Sequence, residues 1–358
     1  MKPLRLALAV FLAGGCATKI AQNYPSRETA LARTYVHNLG FKGLFASEVT
    51  QSVSTRADMR RSEDQFGFTG FVMKHLAKTR DTARIWRVDK KLLWDLDIPA
   101  KTYTECPLSG CASPAKAPAD RPAASAPQER ARKKPSCRLT LAKNTFSVKA
   151  TAQTRVVNGF DTKEYQISWD VVAQDQDKNK TTSTVDIDVW TTPEDDPRIK
   201  AVQAVDREFE SALRIQRPEE SRMAKVVPAD ALKVLEMQFI RDFGAEQRAS
   251  LLNAGKELGK IHGYPISTTL NWYLDGTACQ AVSPEPEKKE ESPSGLDLSH
   301  GFSGLLGGAA QKGAEDKVRD MSAKPVFGFV QEVQEMKMDQ ASDGLFVVPP
   351  DFKLVDRR

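Results

Sequence analysis

The chain is poor in the residues that carry most recognisable chemistry. It has only four histidines, His37, His75, His262 and His300. None belongs to a His-x-x-x-His or His-Glu-x-x-His pair, so nothing points to a zinc hydrolase. A Gly-x-Ser-x-Gly elbow and a Gly-x-x-x-x-Gly-Lys-Ser/Thr loop are both missing. Gly67 and Gly70 are too few and wrongly spaced for a dinucleotide turn. No run reaches the ~20 apolar residues that cross a bilayer as a helix. Charge of one sign does not dominate either: 52 basic and 47 acidic residues leave +5 over 358 residues. Without a basic face and a reading motif, a nucleic-acid partner is not expected. The reading is therefore of a non-enzyme that needs no metal and no cofactor. What is present is ordinary globular material, with 40% hydrophobic residues.

The most specific signal lies at the N-terminus. Lys2 and Arg5 form a short basic region, Leu6 to Leu12 an apolar core, and Ala13-Gly14-Gly15 precedes Cys16. That order is a bacterial secretory signal. The small residues before a cysteine resemble a lipobox, in which the thiol takes a diacylglycerol and the peptide is cut before it. Residues 1–15 are thus expected to be a lipoprotein signal peptide, and 16–43 a tether. Ala17 stands where Asp would resemble an inner-membrane retention signal, so the expected address is the outer membrane, facing the periplasm.

Four further cysteines, Cys106, Cys111, Cys137 and Cys279, suit two disulfides with three possible pairings. The Cys-x4-Cys spacing is unlike close-paired zinc sites. Cys106 ends one expected strand and Cys137 begins the next, so a bond closing the insertion between them is the first expectation. Residues 112–136 and 283–300 are rich in Ala, Pro, Ser and charge. Neither can bury enough apolar surface to offset its ordering entropy, and both read as disordered insertions. The glycine-rich stretch 301–310 reads as a linker, with a lid or a membrane-touching tip as alternatives.

Elsewhere apolar residues alternate with polar ones. Leu92, Trp94, Leu96 and Ile98 form one stripe; Tyr165, Ile167, Trp169 and Val171 form another. Val185, Ile187 and Val189 make a third, and Tyr264 to Leu274 the longest. Period two means antiparallel strands with one buried face. Further strands are expected at Phe45–Thr55, Met59–Asp64, Ala83–Val88, Thr102–Cys106, Leu139–Ala150 and Val326–Val333. Asp186 and Asp188 lie opposite an apolar stripe and read as a solvated outer face. A helical block is expected over 197–259. Asp196 before Pro197 is an N-cap, and Ile199, Val202, Val205, Phe209 and Leu213 follow at helical spacing. Strands, a helical crossover and more strands make an α+β chain.

Several phrases together carry a resemblance. They are Ala57-Asp58-Met59-Arg60-Arg61, Ile85-Trp86-Arg87-Val88-Asp89-Lys90-Lys91-Leu92-Leu93-Trp94 and Pro99-Ala100-Lys101-Thr102-Tyr103-Thr104-Glu105. Gly159 to Tyr165, His262 to Ile266 and Val348 to Lys353 add later landmarks. The chain thereby resembles an uncharacterised envelope-protein family similar to the LolA/LolB lipoprotein-localisation superfamily, over most of residues 44–355. Thr162 stands where that family often has a cysteine. The resemblance implies one domain, a curved, incomplete antiparallel β-barrel wrapped over helices, whose concave face receives acyl chains. The stripes alone fit equally a scaffolding lipoprotein whose interior is filled by its own side chains. The resemblance favours a non-catalytic outer-membrane lipoprotein binding a lipid or lipidated peptide, with Trp86, Trp94, Trp169, Ile187, Leu270 and Trp272 lining the site.

Overall fold

Alternate residues of a strand point to opposite faces, so a period-two chain resolves into sheet wherever its stripes can pair. In the computed structural model, residues 24–41, 46–70, 80–111, 139–214, 255–278 and 325–357 are described. They form β1 (Ser26–Phe41), β2 (Ser47–Arg56), β3 (Met59–Phe68), β4 (Arg80–Arg87), β5 (Leu92–Asp97) and β6 (Thr102–Pro107). Then follow β7 (Thr140–Val157), β8 (Phe160–Gln174), β9 (Lys180–Thr192), helix α1 (Pro197–Leu213) and the single turn α2 (Gly255–Leu258). Strands β10 (Tyr264–Gly276) and β11 (Phe327–Ser342), a 3-10 turn at Asp343–Phe346 and β12 (Lys353–Arg357) complete the order.

All twelve strands join one sheet, in the order β12-β6-β5-β4-β3-β2-β1-β11-β10-β9-β8-β7. It is two antiparallel meanders laid side by side: β1–β6 on one flank, β7–β11 on the other, hydrogen-bonded where β1 meets β11. Only β12 pairs in parallel, alongside β6. The α+β expectation, helices wrapped by an incomplete barrel, is overturned. Strands take up 66% of the described residues and helix 11%, the sheet is not closed, and α1 is the only described helix longer than one turn. The physical reason lies in the sheet. Ile85, Trp94 and Leu96 are buried on the face opposite that of Ile167, Ile187 and Leu270, so one helical layer does not cover both. The expected helices beyond α1 fall largely on 215–254, outside the described residues, as do the two insertions and 301–310.

The sequence suggests a tether over 16–43, which contains the first strand. From Ser26 onward it is instead a central strand, with β11 on one edge and β2 on the other. Helix α1 begins as its sequence dictates: the Asp196 side chain accepts from the Arg198 N–H, and proline opens the first turn. The helix packs across β1, β2 and β11. There Ile199 and Val202 join Ala30, Val333 and Met336 in one apolar cluster. Arg60 holds its far end, pairing with Asp206 at 2.5 Å and lying 4.2 Å from the Phe209 ring centroid. His262 and Gly263 form the entry to β10. Thr191 Oγ1 donates to the His262 carbonyl at 2.8 Å, and Gly263 sits at φ +96°, where a Cβ would meet the Thr192 carbonyl.

Candidate groove at the junction of the two meanders

The register shows how the sheet changes character along single rows. One row reads Val148, Ile167, Ile187, Leu270 and Phe329, then crosses to β1 and β2 as Asn38 and Ser47. The next reads Tyr165, Val189, Thr268, Gln331, Val36, Val49, Phe66 and Arg80. A third, on the same face of the first meander, is polar throughout: Thr34, Gln51, Asp64, Thr82, Asp97 and Thr102. On this face the second meander is apolar and sealed, and the first is open.

Over the open part lies a groove of about 750 Å³. Its lining combines apolar Val36, Val49, Phe66, Phe327 and Phe329 with polar Gln51, Asp64 and Thr82 beside the Val36–Phe66 row on one side and Asn38 and Ser47 on the other. A second depression of about 640 Å³ continues from Gln51, Asp64, Arg80 and Thr82 to Arg84, Trp86, Asp95 and Asp97. Several of the polar groups are already paired. Gln51 Nε2 donates to Asp64 at 2.8 Å, and Arg84 pairs with Asp95 while lying 5.6 Å from the Trp86 ring centroid. Phe66 meets Phe68 edge to face at 4.7 Å. Helix α1 bounds this face at the row of Ala30, Thr55, Arg60 and Trp86. Among the described residues no three His, Cys, Asp or Glu side chains gather as metal ligands would.

The six residues expected to line a site are not brought together. Trp169, Ile187, Leu270 and Trp272 share one buried cluster. Their indole N–H groups are bonded inside the protein, Trp169 to Asn144 Oδ1 at 2.8 Å and Trp272 to Ser183 Oγ at 2.7 Å. Trp94 lies on the opposite face of the first meander, buried with Met59, Ile85, Leu96 and Phe346, its indole bonded to Glu105 at 3.0 Å. Of the six, only Trp86 lies on the open face, where it lines the second depression. The remaining lining residues escaped sequence reasoning, because Thr34, Gln51, Asp64 and Thr82 become neighbours only through register.

Trp94's cluster is covered by the segment joining β11 to β12, and arginines hold that segment down. Arg56, 8% exposed at its side chain, donates to Thr29 Oγ1, Asp343 and the Ala341 carbonyl. Arg61 and Arg87 donate to the carbonyls of Leu345 and Phe346. Hydrogen bonds from Arg27 and then Arg56 hold the Asp343 carboxyl below its usual range. Across the sheet, Asp186 accepts from Ser168 Oγ at 3.0 Å, and burial beside Glu164 and Asp186 pushes Asp188 up. Both aspartates are half-buried and face away from the groove. His37 Nδ1 on β1 is buried and has no hydrogen-bond partner among the described residues.

Cys106 is bonded to Cys111, with Cα atoms 5.0 Å apart, rather than closing the following insertion with Cys137. The bond tethers the end of β6 to its exit. Cys16, Cys137 and Cys279 lie outside the described residues. No described helix is long and apolar enough to cross a membrane. No family model, curated protein or solved structure matches this chain, and nothing in these comparisons ties it to the LolA/LolB superfamily.

Proposed function

We propose that this protein is a non-catalytic outer-membrane lipoprotein, anchored through Cys16, that binds an amphipathic ligand such as a lipid or lipidated peptide. The ligand lies in the groove of the first meander. Its apolar chain rests on Val36, Val49 and Phe66, and its polar part spans the row of Asp64, Thr82 and Asp97. The observation that carries this reading is an apolar row, Val36, Val49 and Phe66, lying in one groove beside the polar row Thr34, Gln51, Asp64 and Thr82. Its volume lies within the ~300–1,000 Å³ typical of small-ligand sites. A fluorescent single-chain lysophospholipid tests it. Saturable binding to wild type, weakened about tenfold by Phe66→Asp, is expected, since desolvating a carboxylate beside an acyl chain is strongly unfavourable. Absence of saturable binding, or equal binding by the variant, would sink the reading. For the anchor, Cys16→Ser should abolish palmitate labelling and shift the protein to the soluble fraction.

The scaffolding alternative draws on a different observation. Trp169, Ile187, Leu270 and Trp272 are buried among neighbours of this chain, as side chains of a filled core are. Under that reading the groove binds nothing, and the lysophospholipid titration stays flat.

A further inference from the structure

The two edges of the sheet are treated differently. One edge is β12, a five-residue strand laid in parallel on β6. At the other edge, among the described residues, β7 pairs with β8 alone, and most of its 18 residues are exposed. An unpaired edge is a template for another strand, and proteins usually blunt it with bulges and lysines. Here the bulges lie at the flanks, between Leu141 and Lys143 and between Ala150 and Thr154. Between them, Lys143 to Ala150 run in unbroken register with β8.

The side chains along that stretch sort by face. Phe146 and Val148 belong to the apolar cluster, Val148 buried and Phe146 half-buried at the rim. On the other face Lys143 and Lys149, six residues and about 20 Å apart, are exposed and form no ion pair with any described residue. The whole of β7 contains Lys143, Lys149 and Arg155 but no Asp or Glu. We propose that β7 is a docking edge for an extended peptide whose residues alternate apolar and acidic. Main-chain hydrogen bonds would add it as a further strand. Its apolar residues would lie along the face of Phe146, its carboxylates beside Lys143 and Lys149. The same lysines disfavour a second copy of this chain, because antiparallel β7 edges would set cation against cation.

The test is fluorescence anisotropy with the mature protein and a labelled ten-residue peptide alternating Val and Glu. Saturable binding is expected, at least tenfold weaker for Lys143→Glu/Lys149→Glu. Two peptides N-methylated at alternate residues, one on each register, separate backbone pairing from simple attraction. One should bind and the other should not, since only one edge of the added strand faces β7. The proposal is overturned by no binding, by equal binding of the two methylated peptides, or by equal affinity of the double variant. It is likewise overturned if Lys143 and Lys149 serve instead to pellet the protein with anionic vesicles, or if light scattering shows a dimer that the double variant abolishes.

Discussion

The two meanders share one hydrogen-bonded sheet, yet away from helix α1 their large apolar side chains are buried on opposite faces. In β7–β11 the buried side is that of Ile167, Ile187, Leu270 and Phe329, and the reverse side carries Asp186 and Asp188. In β1–β6 the buried side is that of Ile85, Trp94 and Leu96, under the segment that follows β11. The face continuous with Leu270 is there the polar row Thr34 to Thr102. The difference teaches that a stripe reports a buried face without saying which one. The inversion at β1–β11 is also what leaves a groove open beside a sealed core.

The largest expected effect tests that inversion directly. Leu270→Ala and Ile85→Ala, both at 0% exposed positions on opposite faces, should each cost about 2–5 kcal/mol in urea unfolding. Thr82→Ala, on the Leu270 face but in the other meander, should stay within about 0.5 kcal/mol. If Thr82→Ala proved as costly as Leu270→Ala, the groove would not be open.

Next comes the clamp over the first meander. Arg56→Ala leaves the Ala341 carbonyl without its donor and Asp343 with Arg27 alone, and should cost about 3 kcal/mol. Because Asp343 titrates below its usual value, its contribution is whole above the ordinary aspartate range and is lost as pH falls through the lowered native value. Asp343→Asn should therefore be less stable than wild type at pH 7, with the gap narrowing as urea midpoints are followed down to pH 3. Asp196→Ala, removing the cap of α1, should cost about 1 kcal/mol by the same measurement. The smallest effect carries the opposite sign. Asp188 is raised, so its ionisation weighs against the fold once pH climbs through the native value. Asp188→Asn should melt about 1–2 °C higher at pH 7 and match wild type at pH 3.

Much of the strand pattern was legible, because stripes such as Leu92-Trp94-Leu96 and Val185-Ile187-Val189 leave few alternatives to period two. Helix α1 was legible from Asp196 and Pro197. β1 was not: on the groove side of the sheet Ala30, Ala32, Thr34 and Asn38 are small or polar and Val36 alone is a larger apolar residue, so no apolar stripe marks it. β12 hides for a related reason, its Leu354 and Val355 being 41% and 62% exposed. The groove is the least legible feature. Its residues come from strands far apart in the chain, and no local pattern tells a polar residue on a groove floor from one in open solvent.

The placement of β1 has a consequence in time. Its edges are completed by β2, made at once, and by β11, made near the end; Arg27 and Asp343, which meet across that seam, are 316 residues apart. A chain emerging from its N-terminus first can zip the first meander early, yet must hold β1 half-paired until almost everything else has arrived. Closing so long a loop is an entropic barrier that local contacts do not lower. The seam is therefore expected to be the slow step of folding, and the interval before it closes is when the open edge of β1 is most exposed to wrong partners.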